Sequence, residues 1–175
     1  MNRVRTFFFL SMMTWATACS SFTVTSAYEP TVNFSQMRTY DWMPRNEITD
    51  KPPETAIAAQ VGQLIKEAVE NGMTKRGYVK RSGENPDFFL AYHASVEDKV
   101  EPRVADYYCG TRICNQGITI DRYREGTLVL DIIKADSKEV VWRGTAVGIV
   151  GDPTKRKALI DEAVNEILNQ FPPKK

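Results

Sequence analysis

Between Ile57 and Met73 the apolar residues are Ile57, Val61, Leu64, Ile65, Ala68, Val69 and Met73, a single stripe at helical period. Lys75-Arg76 and then Gly77 follow, two cations and a residue tolerant of left-handed backbone, which together suit a helix end. A second stripe, Ile160, Val164, Ile167, Leu168 and Phe171, predicts a closing helix. Asp152 is placed to cap it, Pro153 suits its first position, and Pro172-Pro173 stops it.

Elsewhere the period is two. Phe88, Leu90, Tyr92, Ala94 and Val96 alternate with Phe89, Ala91, His93, Ser95 and Glu97, which predicts a long strand from Asp87 to Val100. Residues 118–133 and 138–150 read as a hairpin joined through Ala135-Asp136-Ser137. Val32 to Trp42 reads as a strand ending at Met43-Pro44, and Tyr78 to Lys80 as a short one. Arg45 to Pro53 and Gly83 to Pro86 are a polar loop and a turn. Glu101 to Gly117 reads as irregular. The order β-α-(β)-β-β-β-α predicts an α+β fold. It is a mainly antiparallel sheet of four to five strands with two amphipathic helices packed on one face, in one domain over residues 32–173.

The hairpin permits a finer expectation. Leu128, Leu130 and Ile132 form one apolar face, and Val140, Trp142 and Ala146 are the core candidates opposite. A slip of one residue would turn one set to solvent, so even positions must pair with even. Asp131 and Arg143 then share the other face, and His93, odd-numbered on its strand, joins them. Opposite charges across a sheet commonly furnish a solvated face, and no nucleophile motif accompanies the three. They are a candidate ligand or partner face, and no catalytic residue is expected. Glu67 and Glu70 fall on the polar side of the first helix and read as solvated.

The N-terminus departs from both periods. Arg3 and Arg5 precede an apolar run from Thr6 to Trp15 and a small-residue exit, Ala16-Thr17-Ala18, before Cys19. That is the order of a signal peptide, over residues 1–18, and its apolar run is too short for a span of roughly 20 residues. The exit fits ordinary signal peptidase, and with Cys19 it also resembles a bacterial lipobox. Cysteine arithmetic separates the two. Lipidation of Cys19 leaves Cys109 and Cys114 as a pair, whereas a secreted chain with three cysteines holds an odd thiol. The expectation is a lipoprotein anchored through Cys19, with residues 19–31 as a tether or the lead-in to a first strand. Ser20 after the cysteine generally accompanies transport to the outer membrane in such proteins, so the domain would face the periplasm.

Charge narrows the partners. The chain carries 23 Lys and Arg against 22 Asp and Glu, and without Arg3 and Arg5 it is close to neutral, with no broad basic field for nucleic acid. The membrane through acyl chains and an envelope protein are the partners expected. The one histidine argues against a His-rich metal site, and no phosphate loop occurs; no cofactor or metal is expected. Cys109-x₄-Cys114 has the wrong spacing for the usual zinc pairs and suits a disulfide in an oxidising compartment. Tyr107 and Tyr108 beside it offer either a protein contact or local packing.

Several stretches together resemble the "domain of unknown function 4136" lipoproteins. They are Asn33-Phe34-Ser35, Thr39-Tyr40-Asp41-Trp42, Lys75-Arg76-Gly77-Tyr78, Pro86 to Leu90 running to Tyr92-His93, Gly126-Thr127-Leu128 to Asp131, Val141 to Gly144, and Phe171-Pro172-Pro173. The resemblance covers roughly Thr31 to Pro173. It implies an envelope lipoprotein of α+β fold and assigns no chemistry to any residue. The leading expectation is therefore a non-enzymatic interaction or accessory domain. The alternative is a periplasmic small-ligand-binding domain using an open sheet face.

Overall fold

Even-numbered strand residues and the two helical stripes meet in one core. A computed structural model describes residues 21–44, 55–83, 85–109 and 112–173, with the backbone alone for 105–109 and 112–116. Its elements are β1 (Phe22–Tyr28), β2 (Thr39–Trp42), α1 (Ala56–Lys75), β3 (Val79–Lys80), β4 (Phe88–Cys109), β5 (Arg112–Lys134), β6 (Val140–Ile149) and α2 (Arg156–Leu168). The fold is α+β. One six-stranded, mostly antiparallel open sheet runs β1-β6-β5-β4-β2-β3, with β2 parallel to β3 and β4.

Phe88, Leu90, Leu128, Leu130, Ile132, Trp142 and Ala146 from the sheet pack with Ile65, Val69, Met73, Val164, Ile167 and Leu168 from the helices. Phe171, just past α2, closes the end of this core, with its ring 5.2 Å from Trp142 and 5.8 Å from Phe34. Both helices lie on the even face. Gly144 illustrates the fit, because a Cβ there would collide with the Trp142 ring and Ile167. The C-terminal end of α1 is closed as the sequence predicts, and its N-terminal end is closed by a cap that the sequence reading did not name. The Thr55 hydroxyl accepts from Ala58 N (3.1 Å). Gly77, at φ 82, allows Gly77 N to donate to Thr74 O and Tyr78 N to Met73 O, the paired closure that satisfies a helix's last carbonyls. Asp152, expected to cap the closing helix itself, instead caps a 3-10 turn, Pro153–Lys155, and α2 starts one turn later behind Lys155, which makes no side-chain cap bond.

Four further expectations change. The stretch read as a tether contains β1, an edge strand paired to β6, whose Phe22 and Val24 reach the core. Only two apolar positions alternate there, too few to register as a period. The strand expected over 32–42 is shorter. Asn33 accepts from Ser35 N and caps a 3-10 turn, Phe34–Gln36, that buries Phe34 before β2 starts. The stretch 101–117 is strand at both ends, since β4 and β5 pair continuously out to Cys109↔Arg112. Val140 is exposed and Val141 buried, because a register shift beside Ile133 rotates that end of β6. The polar loop expected at 45–53 lies outside the described residues.

Candidate functional site

The register places the expected trio on one face. Pairs Leu128↔Ala146, Leu130↔Gly144 and Ile132↔Trp142 bring even opposite even, so Asp131 stands directly across from Arg143. The guanidinium meets the carboxylate through two bonds, Nε to Oδ1 at 2.6 Å and Nη2 to Oδ2 at 2.7 Å. Donation to Asp131, reinforced by its charge, raises the Arg143 pKa above its ordinary value. His93 pairs with Val129, one position along from Ala91↔Asp131. The three share a face, yet Asp131 is engaged by Arg143, so the arrangement is a cross-strand ion pair with an exposed histidine nearby. Around it lie Thr23, Thr25, Ser95, Thr127, Thr145 and Val147, on β1, β4, β5 and β6. Among the described residues no helix covers this surface, and no group of three or more metal-ligating side chains occurs.

A crevice of about 900 Å³ lies at one end of the sheet, between the β5–β6 turn and the segment after β1. Glu29, Asp87, Asp136 and Glu139 line it together with Lys134 and Val32. Asp87 has a structural duty. It accepts from Arg38 N, Thr39 N and the Thr39 hydroxyl at 2.8–2.9 Å, which ties the start of β2 to that of β4. The bond from Arg38 N, with those from Thr39, holds its pKa low against the opposing effect of desolvation. Asp136 pairs with Lys134 at 2.8 Å.

Glu70, expected in solvent, instead joins helix to sheet. It accepts from Trp42 Nε1 (2.7 Å) and Lys80 Nζ (2.6 Å), with Lys66 over the Trp42 ring. Burial works to raise its pKa, but the bonds from Lys80 and Trp42 and the nearby lysines outweigh it and the value falls. Desolvation, with the charges of Glu70 and Asp41, pushes Tyr40 up to about 12. Helical spacing places Glu70 on a side of α1, but only tertiary structure brings Trp42 and Lys80 to it.

The feature that the sequence reading missed is an arm. Beyond Glu125↔Ile149 strand β6 ends, and β2 pairs β4 only up to Leu90, so β4 and β5 continue alone as a two-stranded ribbon. Its odd face is charged, with Lys99 bonded to Glu97 and Glu125 and Arg103 to Asp121. Its even face carries Val96, Val100, Val104, Ile118 and Ile120, all exposed. The backbone places Tyr107, Tyr108, Cys109 and Cys114 at the tip, with Cys114 falling at a register shift. Their side chains, and with them the expected disulfide, lie outside the described residues, as does Cys19. Residues 97–104 and 117–125 do alternate, and that alternation was the available signal.

A family model described as Domain of unknown function (DUF4136) matches residues 24–173. No curated protein matches the chain. Among solved structures, the chain is similar to a PDZ domain protein from Parabacteroides distasonis ATCC 8503, with a TM-score of 0.57 and 15% identity over 89% of this chain. It spans 36% of that protein's length. It is also similar to PelC dodecamers from Paraburkholderia phytofirmans, each with a TM-score of 0.46, at 14% and 10% identity, over 88% of this chain and 99% of theirs. The first likeness is one of fold alone, and the second carries nothing further.

Proposed function

The chain belongs to the DUF4136 family, whose function is unknown, and from that premise we propose a non-enzymatic interaction domain, held at the cell envelope through an acylated Cys19. The observation that carries this reading is the open sheet face. Four strands present Thr, Ser and Val side chains around the Asp131–Arg143 pair, a surface that no helix covers among the described residues and that suits contact with another protein. The charged groups there are engaged with each other, which leaves them to position a partner instead of transforming a substrate. Outer-membrane attachment facing the periplasm belongs to the same proposal, on the strength of the lipobox resemblance and Ser20.

In-cell photocrosslinking tests it, with a probe in place of Thr145 on the open face and another in place of Glu67 on the outer side of α1. One dominant protein adduct is expected from position 145, absent from position 67, and lost when Cys19→Ser releases the chain. No adduct from a chain whose intact mass shows acylation would sink the reading. The crevice favours a second reading, a small-ligand domain, because its volume is that of an ordinary ligand site. With Asp87 and Asp136 already engaged, Glu29 and Glu139 are the lining carboxylates that would favour a cation. A thermal-shift screen of small amines, with Glu139→Gln as control, checks that reading by whether any amine stabilises the parent more than the variant.

A further inference from the structure

The anchor and the arm leave the domain at the same end. Phe22 pairs with Gly148, Gly148 with Gly126, and Gly126 with Val96, so one line across the sheet joins the start of β1 to the base of the arm. From that line β4 runs on to Cys109, thirteen residues or about 43 Å at strand rise. Cys19 is three residues before Phe22 and can reach about 10 Å past the same line. Chains seated in a bilayer at Cys19 would therefore leave the arm roughly 30 Å too long to point at the membrane without entering it. Entry is unfavourable. Both outer edges of a two-stranded ribbon carry unpaired backbone groups, which hydrocarbon does not satisfy, and the odd face carries Glu97, Lys99, Glu101, Arg103 and Asp121. The arm must lie along the membrane instead.

The face it would turn down is also fixed. Ser21, the first described residue, donates to Glu162 of α2 through both its backbone N (2.8 Å) and its hydroxyl (2.9 Å), so it is held against the helix side of the sheet. The apolar face of the arm is the even face, the same side. Val104 is 66% and Ile118 75% exposed there, and these two pair with each other. Arg122 and Arg124 flank the patch, and Lys155, Arg156 and Lys157 stand at the start of α2. The acids on this side are partly committed, Asp152 to Thr154 and Asp161 to Lys157, with Asp98 opposite Arg124. The helix layer, about 10 Å deep, inclines the bilayer only slightly against an arm several times longer.

We propose that the even face of the β4–β5 arm is a membrane-surface contact, with Val100, Val104, Ile118 and Ile120 at the headgroup–acyl boundary and Arg122 and Arg124 on lipid phosphates. The inference rests on acylation at Cys19, which sets the orientation. Apolar residues flanked by cations are the composition that binds an interface, and an exposed apolar patch of this kind otherwise calls for a partner.

The test places p-benzoylphenylalanine at Val104 or Ile118, and at Arg103 or Thr119 on the other face. The full-length protein is purified from membranes and reconstituted in vesicles of phosphatidylethanolamine with a minority of phosphatidylglycerol. Intact mass reports the state of Cys19, and far-UV circular dichroism checks the fold. Arg103, Val104 and Ile118 are exposed and Thr119 is half-buried, and none of the four belongs to the core cluster, so the substitutions leave the core untouched. Irradiation is expected to add one phospholipid mass at 104 and 118, several-fold more than at 103 and 119. Equal yields on both faces, no lipid adduct, or covalent dimers in its place would overturn the proposal, the last assigning the face to a second copy. If Cys19 carries no lipid, the anchoring reading fails by itself. The same four probes then still decide, since face-specific lipid adducts keep the contact and their absence removes it.

Discussion

Glu70 is the residue whose environment differs most from its sequence context. Its carboxylate pKa lies below the ordinary 4.5, so on acidification the unfolded chain takes up a proton first. The stability it supplies is present above that ordinary value and is lost as pH falls through the lower folded one. Glu70→Gln should cost about 1 kcal/mol near neutrality, since a side chain about a third exposed is partly screened. The acid limb of a Tm-against-pH curve should flatten accordingly, and thermal melts between pH 3 and 7 (about the range over which a carboxylate titrates) check both. Asp131→Asn is expected to cost about 1 kcal/mol, the upper range of a cross-strand pair, since Arg143 is exposed but Asp131 is only 16% exposed and held by two bonds. Gly144→Ala is the opposite case. Its Cβ has nowhere to go between Trp142 and Ile167, and a loss of about 1–3 kcal/mol in urea unfolding is expected from overpacking. Trp142 has a second peculiarity, a buried indole N–H with no acceptor among the described residues. Trp142→Phe removes that orphan donor, and should cost less than the roughly 3–5 kcal/mol of a large-to-small core change.

At the scale of elements, helices and central strands follow their patterns because each pattern is one face of a shared core. The arm does not follow this logic, since it has no core to face. Pro102 and the cysteines break the appearance of a strand, yet Pro102 sits where β4 has a neighbour on one side only, and a missing N–H is tolerated there. Replacing residues 100–122 with an Asn-Gly turn closes the hairpin on the Lys99↔Tyr123 pair. Among the arm's described side chains none belongs to the core cluster. The shortened protein should therefore keep its Tm to within a few degrees, as scanning calorimetry would read. Hydrogen exchange should find the arm's amides fast in the intact protein without membranes, because a lone two-stranded ribbon is marginal in water. Protection there in the absence of any lipid would show that something else supports it.

For the whole molecule, the sequence by itself determined the α+β class, both helices and the glycine closure of α1, and the even-to-even register that sets Asp131 against Arg143. Those features are written in local periodicity, in capping residues, and in the requirement that apolar positions share one face. It also carried the family resemblance. Only tertiary structure decided the rest. Strand β1 exists because β6 offers it an edge, since two alternating apolar residues could not announce it alone. Glu70 became a clasp because the chain returns Trp42 and Lys80 to it from far along the sequence. The arm is visible only once β6 is seen to stop while β4 and β5 continue. Which faces remain open depends on where neighbouring strands end, and no single strand's pattern of residues records the length of its neighbours.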